Sequence, residues 1–188
     1  MIKKIIIVAG GTGGHVFPAY SLFQHFKKIN TNVEIITDKR GLRFLKDYQN
    51  IKINTFLSST ISRKNLFKTG ASLFVILISF ISSLFFFLFK RPNIILGMGG
   101  YTTFPVCIAA KLLAIPFVIY ENNLILGKAN KYLLPFAKKI FLSYPEIKGI
   151  NLKYKKKIII TGNIIRKEIL DYRHKNINKT KKNINILV

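Results

Sequence analysis

The stretch Lys4-Ile5-Ile6-Ile7-Val8-Ala9-Gly10-Gly11-Thr12-Gly13-Gly14-His15 decides the fold. Its apolar run, Lys4 to Val8, reads as a buried strand and ends in a turn with four glycines in five residues. A helical pattern, Val16 to Ile29, follows. Glycine leaves few side chains between the backbone and an incoming ligand. It also tolerates positive φ, so consecutive N–H groups can turn toward one point. The helix aims its positive dipole end at that point. Strand, glycine turn and helix N-terminus together predict a site for an anion, above all a diphosphate; the plain alternative is a tight turn with no ligand. Two familiar motifs fit poorly. No lysine follows the glycines, as a P-loop requires. The dinucleotide fingerprint starts at Gly11 and Gly13 but meets Val16 at its last position. Asp38 ends the next strand and suits a ribose, which keeps a nicotinamide-dinucleotide-dependent oxidoreductase open as an alternative.

Working outward, the pattern alternates. Strands are expected at 4–8, 33–37, 51–56, 93–97, 117–120, 139–143 and 157–161. Helices are expected at 16–29, 42–48, 64–90, 103–113, 127–137 and 165–171. Strands alternating with helices imply an α/β, doubly wound parallel sheet. The runs Ile5–Val8, Ile94–Leu96 and Ile158–Ile160 suit strands buried on both faces. Residues 173–183 are polar and basic and read as a linker. Ile184-Asn185-Ile186-Leu187-Val188 reads as a further strand, so a second domain is expected to follow.

A chain of 188 residues suits one α/β domain and is short for two. Its 31 Lys+Arg against 7 Asp+Glu give a formal net charge of +24, which favours anionic partners. Lysine, asparagine and isoleucine are all abundant, so part of this charge is compositional. The basic residues are not interleaved with aromatics, and no nucleic-acid partner is expected. The single Cys107 excludes an internal disulfide and a cysteine metal site. A reducing, cytoplasmic setting fits. No signal peptide is expected, because Met1 leads straight into a strand. No metal or cofactor is expected.

Ala71 to Phe89 carries no charge over 19 residues, long enough for a membrane span. Basic residues flank both ends: Lys64 and Lys68 before, Lys90 and Arg91 after. Ser72, Ser79 and Ser83 fall on one side with Lys68 and Lys90, a weak polar stripe. A span would also put strands 4–8 and 93–97 on opposite sides of a bilayer, although one sheet needs both. The expectation is a helix lying in an anionic membrane interface, with Phe74, Phe80, Phe85, Phe86, Phe87 and Phe89 toward lipid or core. A non-catalytic membrane-binding module is therefore a second alternative.

Three more loops fall at the same sheet edge. Gly97-Met98-Gly99-Gly100-Tyr101-Thr102 repeats the glycine pattern, and two such loops make a crevice. Glu121-Asn122-Asn123 offers a carboxylate and amides suited to sugar hydroxyls, although Glu121 could simply cap the helix that starts near Gly127. Gly162-Asn163-Ile164-Ile165-Arg166 supplies an arginine for a phosphate or for a partner domain.

Together, Gly10 to Pro18, Leu96 to Tyr101, Glu121-Asn122-Asn123 with Gly127 and Asn130, and Gly162 to Arg166 resemble the MurG family. Its members are peptidoglycan glycosyltransferases that make lipid II from lipid I. The likeness runs along nearly the whole chain. It implies a GT-B arrangement of two Rossmann-like domains facing across a cleft. Residues 1–172 would be the N-terminal, acceptor-side domain, 173–183 the linker, and 184–188 the first strand of a donor-binding domain. The resemblance implies inverting transfer of N-acetylglucosamine from UDP-N-acetylglucosamine to lipid I, a muramoyl pentapeptide on a polyprenyl diphosphate. The site would lie on the cytoplasmic face of the plasma membrane, with the protein peripheral. His15 is the candidate base, held neutral by the helix N-terminus; it could instead cap the loop or hold the diphosphate. By motif match, Thr12, Gly13, Gly14, Asn123 and Arg166 contact the UDP sugar. Gly99, Gly100, Tyr101 and Glu121 fall on the acceptor side. Lys64, Lys68, Phe74, Phe80, Phe85 and Lys90 meet the membrane. The chain departs from the family at Tyr120 and Asn122, where His and Gln are usual. Without a donor domain, the chain is expected to bind UDP-N-acetylglucosamine feebly and turn over little or nothing.

Overall fold

A computed structural model describes residues 4–60 and 66–175. Seven strands form one sheet, all parallel: β1 (Lys4–Val8), β2 (Asn32–Thr37), β3 (Ile53–Thr55), β4 (Ile94–Gly97), β5 (Phe117–Glu121), β6 (Ile140–Leu142) and β7 (Ile158–Ile160). Their order is β3-β2-β1-β4-β5-β6-β7. The order reverses between β1 and β4, and the crevice at such a point is where open α/β sheets bind ligands. Both glycine turns start there.

Alternate residues of β1 serve opposite faces, as the period of a strand dictates. Ile5 and Ile7 pack with Val16, Ala19, Tyr20 and Phe23 of α1 (Gly13–Lys28). Ile6 and Val8 face the other layer. There they join Phe87 of α3 (Leu66–Phe89), Val106 and Ala110 of α4 (Thr103–Leu112), and Leu133 of α5 (Lys128–Leu133). The doubly wound expectation is met on both faces.

Several boundaries differ, each for a local reason. The helix expected at 42–48 lies earlier, as the single turn α2 (Lys39–Leu42), because the Asp38 carboxylate caps it by accepting the Gly41 N–H at 2.7 Å. α5 stops at Leu133 instead of 137, and a turn through Pro135 follows in which the Phe136 and Ala137 N–H groups both donate to the Leu133 carbonyl. A 3₁₀ turn, Leu152–Lys157, occupies the approach to β7. Its Lys157 ammonium donates to the carbonyls of Leu134, Pro135 and Ala137, in the turn that follows α5. α6 (Lys167–Lys175) runs into the expected linker. The rest of that linker, the strand 184–188 and Lys64 lie outside the described residues.

α3 corrects the sequence reading most. The stripe of Ser72, Ser79 and Ser83 is its buried face, pressed toward α4 and the core. Ser83 donates to the Ser79 carbonyl at 2.7 Å, and Ser72 to the Thr60 carbonyl at 2.9 Å. Small side chains let the two helices approach closely, and the apolar residues are turned outward. Phe74 and Phe85 are 63% and 60% exposed, with Leu73, Leu77, Ile81, Leu88 and Phe89 also exposed. Phe80 is only half exposed and packs on the core, so it belongs to the inner layer; Phe86 does the same, and Phe87 is fully buried. By length and composition α3 could cross a membrane. However, it lies beside α4, and β1 is hydrogen-bonded to β4, so a span would tear the sheet.

Candidate functional site

The two glycine turns touch. The Gly10 N–H donates to the Gly99 carbonyl at 3.3 Å. Gly100 (φ +86°) lies so close to Gly10 that a Cβ there would collide with the Gly10 carbonyl. At Gly99 (φ +99°) a Cβ would meet the His15 ring at 2.8 Å. These contacts and the positive φ values require glycine.

Not every amide of the first turn is free for a ligand. Gly10 N–H is used on Gly99, Gly11 N–H on Asp38 (3.1 Å), and Thr12 N–H on Gly10. Among the described residues, the amides of Gly13 and Gly14 make no hydrogen bond within the protein. They are the first two of α1, where a helix has donors to spare. The anion site thus narrows from the whole turn to the helix start.

Two hollows flank this point. A cleft of about 400 Å³ is lined by Gly13, Gly14, Asn122, Asn163 and Arg166. A smaller cavity of about 190 Å³ is lined by His15, Gly99, Gly100, Tyr101, Asn123 and Asn130. The residues expected on the donor side therefore divide. Gly13, Gly14 and Arg166 share the larger cleft, whereas Asn123 sits in the smaller cavity with the acceptor-side set. Thr12 is exposed and lines neither hollow. The Arg166 guanidinium stacks on the Phe17 ring at 4.1 Å, which holds it beside the helix start.

His15 faces the smaller cavity. Burial pushes its pKa below the ordinary histidine value, while the Glu121 carboxylate and the Met98 carbonyl pull it back. The expected direction is observed, but the leading cause is desolvation and not the helix dipole. Its buried Nδ1 has no partner, nor has Oδ1 of buried Asn130 on the same wall. A neutral imidazole opening into a cavity can accept a proton from a hydroxyl bound there.

The two buried carboxylates at this edge are already engaged. Glu121, 1% exposed, is the last residue of β5 and not a loop residue. Its Oε1 accepts from the backbone and side-chain amides of Asn123, at 3.1 and 2.8 Å. Its Oε2 accepts from Gly127 N–H and Asn130 Nδ2, at 2.8 and 3.0 Å. It caps α5 and ties the loop, as the capping alternative expected, while it also lines the smaller cavity beside Gly99, Gly100 and Tyr101. Asp38 is also buried and accepts from Gly11, Gly41, Ser58 and Arg40. Burial alone would raise its pKa, yet those donors hold it below the ordinary carboxylate range. With its acceptor positions filled, it has nothing to offer a ribose, and the dinucleotide alternative loses its acid.

Two residues gain roles the sequence reading did not assign. Pro18 lies inside α1 and has no N–H for the carbonyl four residues back, that of Gly14. The Asn122 side chain donates to that carbonyl at 2.8 Å, which fastens the 121–130 loop to the helix start. Tyr120 is buried, and its hydroxyl lies 2.7 Å from that of Ser143.

The model of the glycosyltransferase family 28 N-terminal domain matches residues 5–142. The chain belongs to glycosyltransferase family 28. It is 36% identical, over its whole length, to the UDP-N-acetylglucosamine--N-acetylmuramyl-(pentapeptide) pyrophosphoryl-undecaprenol N-acetylglucosamine transferase of Pelagibacter ubique, covering 51% of that protein. To the Rickettsia felis enzyme of the same description it is 38% identical, with 92% of this chain and 47% of that one covered. The chain thus spans about half the length of these curated relatives. Among solved structures, Acinetobacter baumannii MurG superposes with a TM-score of 0.70 at 28% identity, over 88% of this chain and 46% of that one. A UDP-GlcNAc 2-epimerase from Neisseria meningitidis, TM-score 0.60 at 21% identity, covering 85% of this chain and 46% of its own, shares the fold. For this family 28 chain, the expected Rossmann-like, GT-B-type N-terminal half is thereby established.

Proposed function

We propose that this chain is the acceptor-side domain of an enzyme that transfers N-acetylglucosamine from UDP-N-acetylglucosamine to lipid I, giving lipid II with inversion. The observation that carries the reading is the contact between the two glycine turns, with a half-buried His15 on the adjoining cavity, its pKa lowered by burial, and an outward-facing apolar helix on the neighbouring layer. The acceptor hydroxyl would enter the smaller cavity, where Nε2 or Nδ1 of His15 takes its proton as the oxygen attacks the anomeric carbon; the bond from that carbon to the phosphate oxygen breaks, and UDP leaves with its electron pair. Gly99, Gly100, Tyr101 and Asn123 would line the acceptor. Gly13, Gly14 and Arg166 would face the UDP phosphates in the larger cleft, with Thr12 at its rim. Residues 1–172 form the domain in this reading, 173–183 a linker, and 184–188 the opening of a donor-binding domain. Phe74, Phe85, Lys68 and Lys90 would meet an anionic bilayer on its cytoplasmic face, with the polyprenyl chain entering beside them.

The test is binding to anionic vesicles with and without a polyprenyl diphosphate in the bilayer. The diphosphate should raise affinity about tenfold, the worth of one good charge-assisted contact. Gly99→Ala should abolish that gain while leaving binding to plain anionic vesicles unchanged. Vesicle binding indifferent to the diphosphate, and to Gly13→Ala and His15→Ala, would leave only the membrane-binding module.

A further inference from the structure

The Gly162–Arg166 turn is held by bonds that pass through one hydroxyl. Tyr120 Oη accepts the Ile164 N–H at 3.2 Å and donates to the Gly162 carbonyl at 3.3 Å. With Ser143 Oγ donating at 2.7 Å, its one proton and two lone pairs are all used. Tyr120 is 2% exposed, so water cannot substitute for these partners. Gly162 turns the chain at φ +78°, and Asn163 Nδ2 donates to the Tyr144 hydroxyl at 2.7 Å. The chain then returns over α1 and lays Arg166 on Phe17, beside the unbonded amides of Gly13 and Gly14. The stacked guanidinium keeps its in-plane N–H groups available for an anion.

We propose that Tyr120, buttressed by Ser143, is a positioning residue that latches the 162–166 turn over the larger cleft and so aims Arg166 at the phosphates of a nucleoside diphosphate. The ligand class rests on the function proposed above; the latch itself does not.

The experiment titrates UDP, to millimolar concentration, into the 188-residue chain and follows the amides and the Arg166 side chain by NMR. In the wild type, Gly13, Gly14 and Arg166 should respond together. Tyr120→Phe keeps the ring and removes the hydroxyl. It should weaken UDP about tenfold, as loss of one aimed charge-assisted contact does, and silence the Arg166 response. In an Arg166→Ala background, Tyr120→Phe should cost nothing more, because both act through the same guanidinium. Equal losses in both backgrounds, or no loss in either, would overturn the proposal. Hydrogen exchange at the Ile164 amide reads the latch without a ligand. It should quicken in Tyr120→Phe and, less, in Ser143→Ala, and unchanged exchange would overturn the latch even if either variant is marginally folded. A wild-type chain that ignores UDP but loses Ile164 protection in Tyr120→Phe would keep the latch and defeat the nucleotide reading.

Discussion

Helices α1 and α3 flank the same sheet and present opposite chemistry on their outer sides. α1 buries Val16, Ala19, Tyr20 and Phe23, and leaves His25, Lys27 and Lys28 outside. α3 buries three serines together with Phe87, and leaves phenylalanine and leucine outside. An apolar stripe turned inward is the solution for a helix whose other side meets water. α3 packs Phe80, Leu84, Phe86 and Phe87 inward as well, so it is apolar on both sides, and its outer residues lower free energy only where they meet something other than water. In the proposed reading one sheet serves two solvents, and the candidate site lies where the two layers meet, between β1 and β4.

The largest expected effect probes this contrast inside α3 itself. Phe87→Ala should destabilise the fold by about 3–5 kcal/mol, the usual cost of emptying a core phenylalanine site. Phe85→Ala, two residues away, should shift the midpoint of denaturant unfolding very little. If both were equally costly, α3 would be a core helix on all sides. Next, the pair Phe74→Asp and Phe85→Asp should cut affinity for anionic vesicles by about a hundredfold or more, from roughly 1.5–3 kcal/mol of apolar burial per ring. Sedimentation with vesicles measures it, and a matching change at Lys27 and Lys28 of α1 should have a far smaller effect. If the α1 changes mattered as much, charge alone would drive binding.

At the join of the layers, Gly100→Ala forces a Cβ onto the Gly10 carbonyl and into positive φ, which should cost about 1–3 kcal/mol. Thermal unfolding would show it, whereas Gly70→Ala on α3, where a Cβ meets nothing, should be neutral or slightly stabilising. The smallest effect is titration of His15. Its folded pKa is depressed, so the unfolded chain binds more protons as pH falls below about 6.5, and stability declines in that window. Above it the contribution is fully present. Melting curves from pH 7.5 to 5 should therefore slope less steeply for His15→Gln than for the wild type. Equal slopes would mean that His15 is not held neutral by burial.

The strands and both glycine turns were legible because their signals are local. Ile5 to Val8 can be little except a buried strand, and a glycine cluster at its end marks a close approach of backbone. The partner of that approach, Gly100 against Gly10, was not visible as a pair, but the βα alternation placed both at one edge. The inward serines of α3 misled because periodicity reports which residues share a side, not which side faces the core; that is set by α4, whose small residues admit a close neighbour. Asp38 misled for a different reason, and Glu121, for which the helix-capping alternative stood open, could not be decided from sequence on the same ground. A carboxylate beside glycine turns looks like a ligand group until its donors are counted, and those donors come from residues up to 27 positions away, as Gly11 does to Asp38. The Tyr120 hydroxyl was illegible on the same ground, since its partners at 143, 162 and 164 meet only through the register of β5 beside β6. His15 lines the smaller cavity, and burial rather than the helix N-terminus leads the lowering of its pKa.

Pro18 also makes a joint between two elements. By leaving one rung of α1 empty at Gly14, it creates a socket, and the Asn122 amide plugs into it. Swapping that proline for alanine, ordinarily a repair of a helix, would refill the rung and evict the plug. The helix would gain in regularity while the loop carrying Asn123 came adrift, so a flaw in one element is what joins it to another.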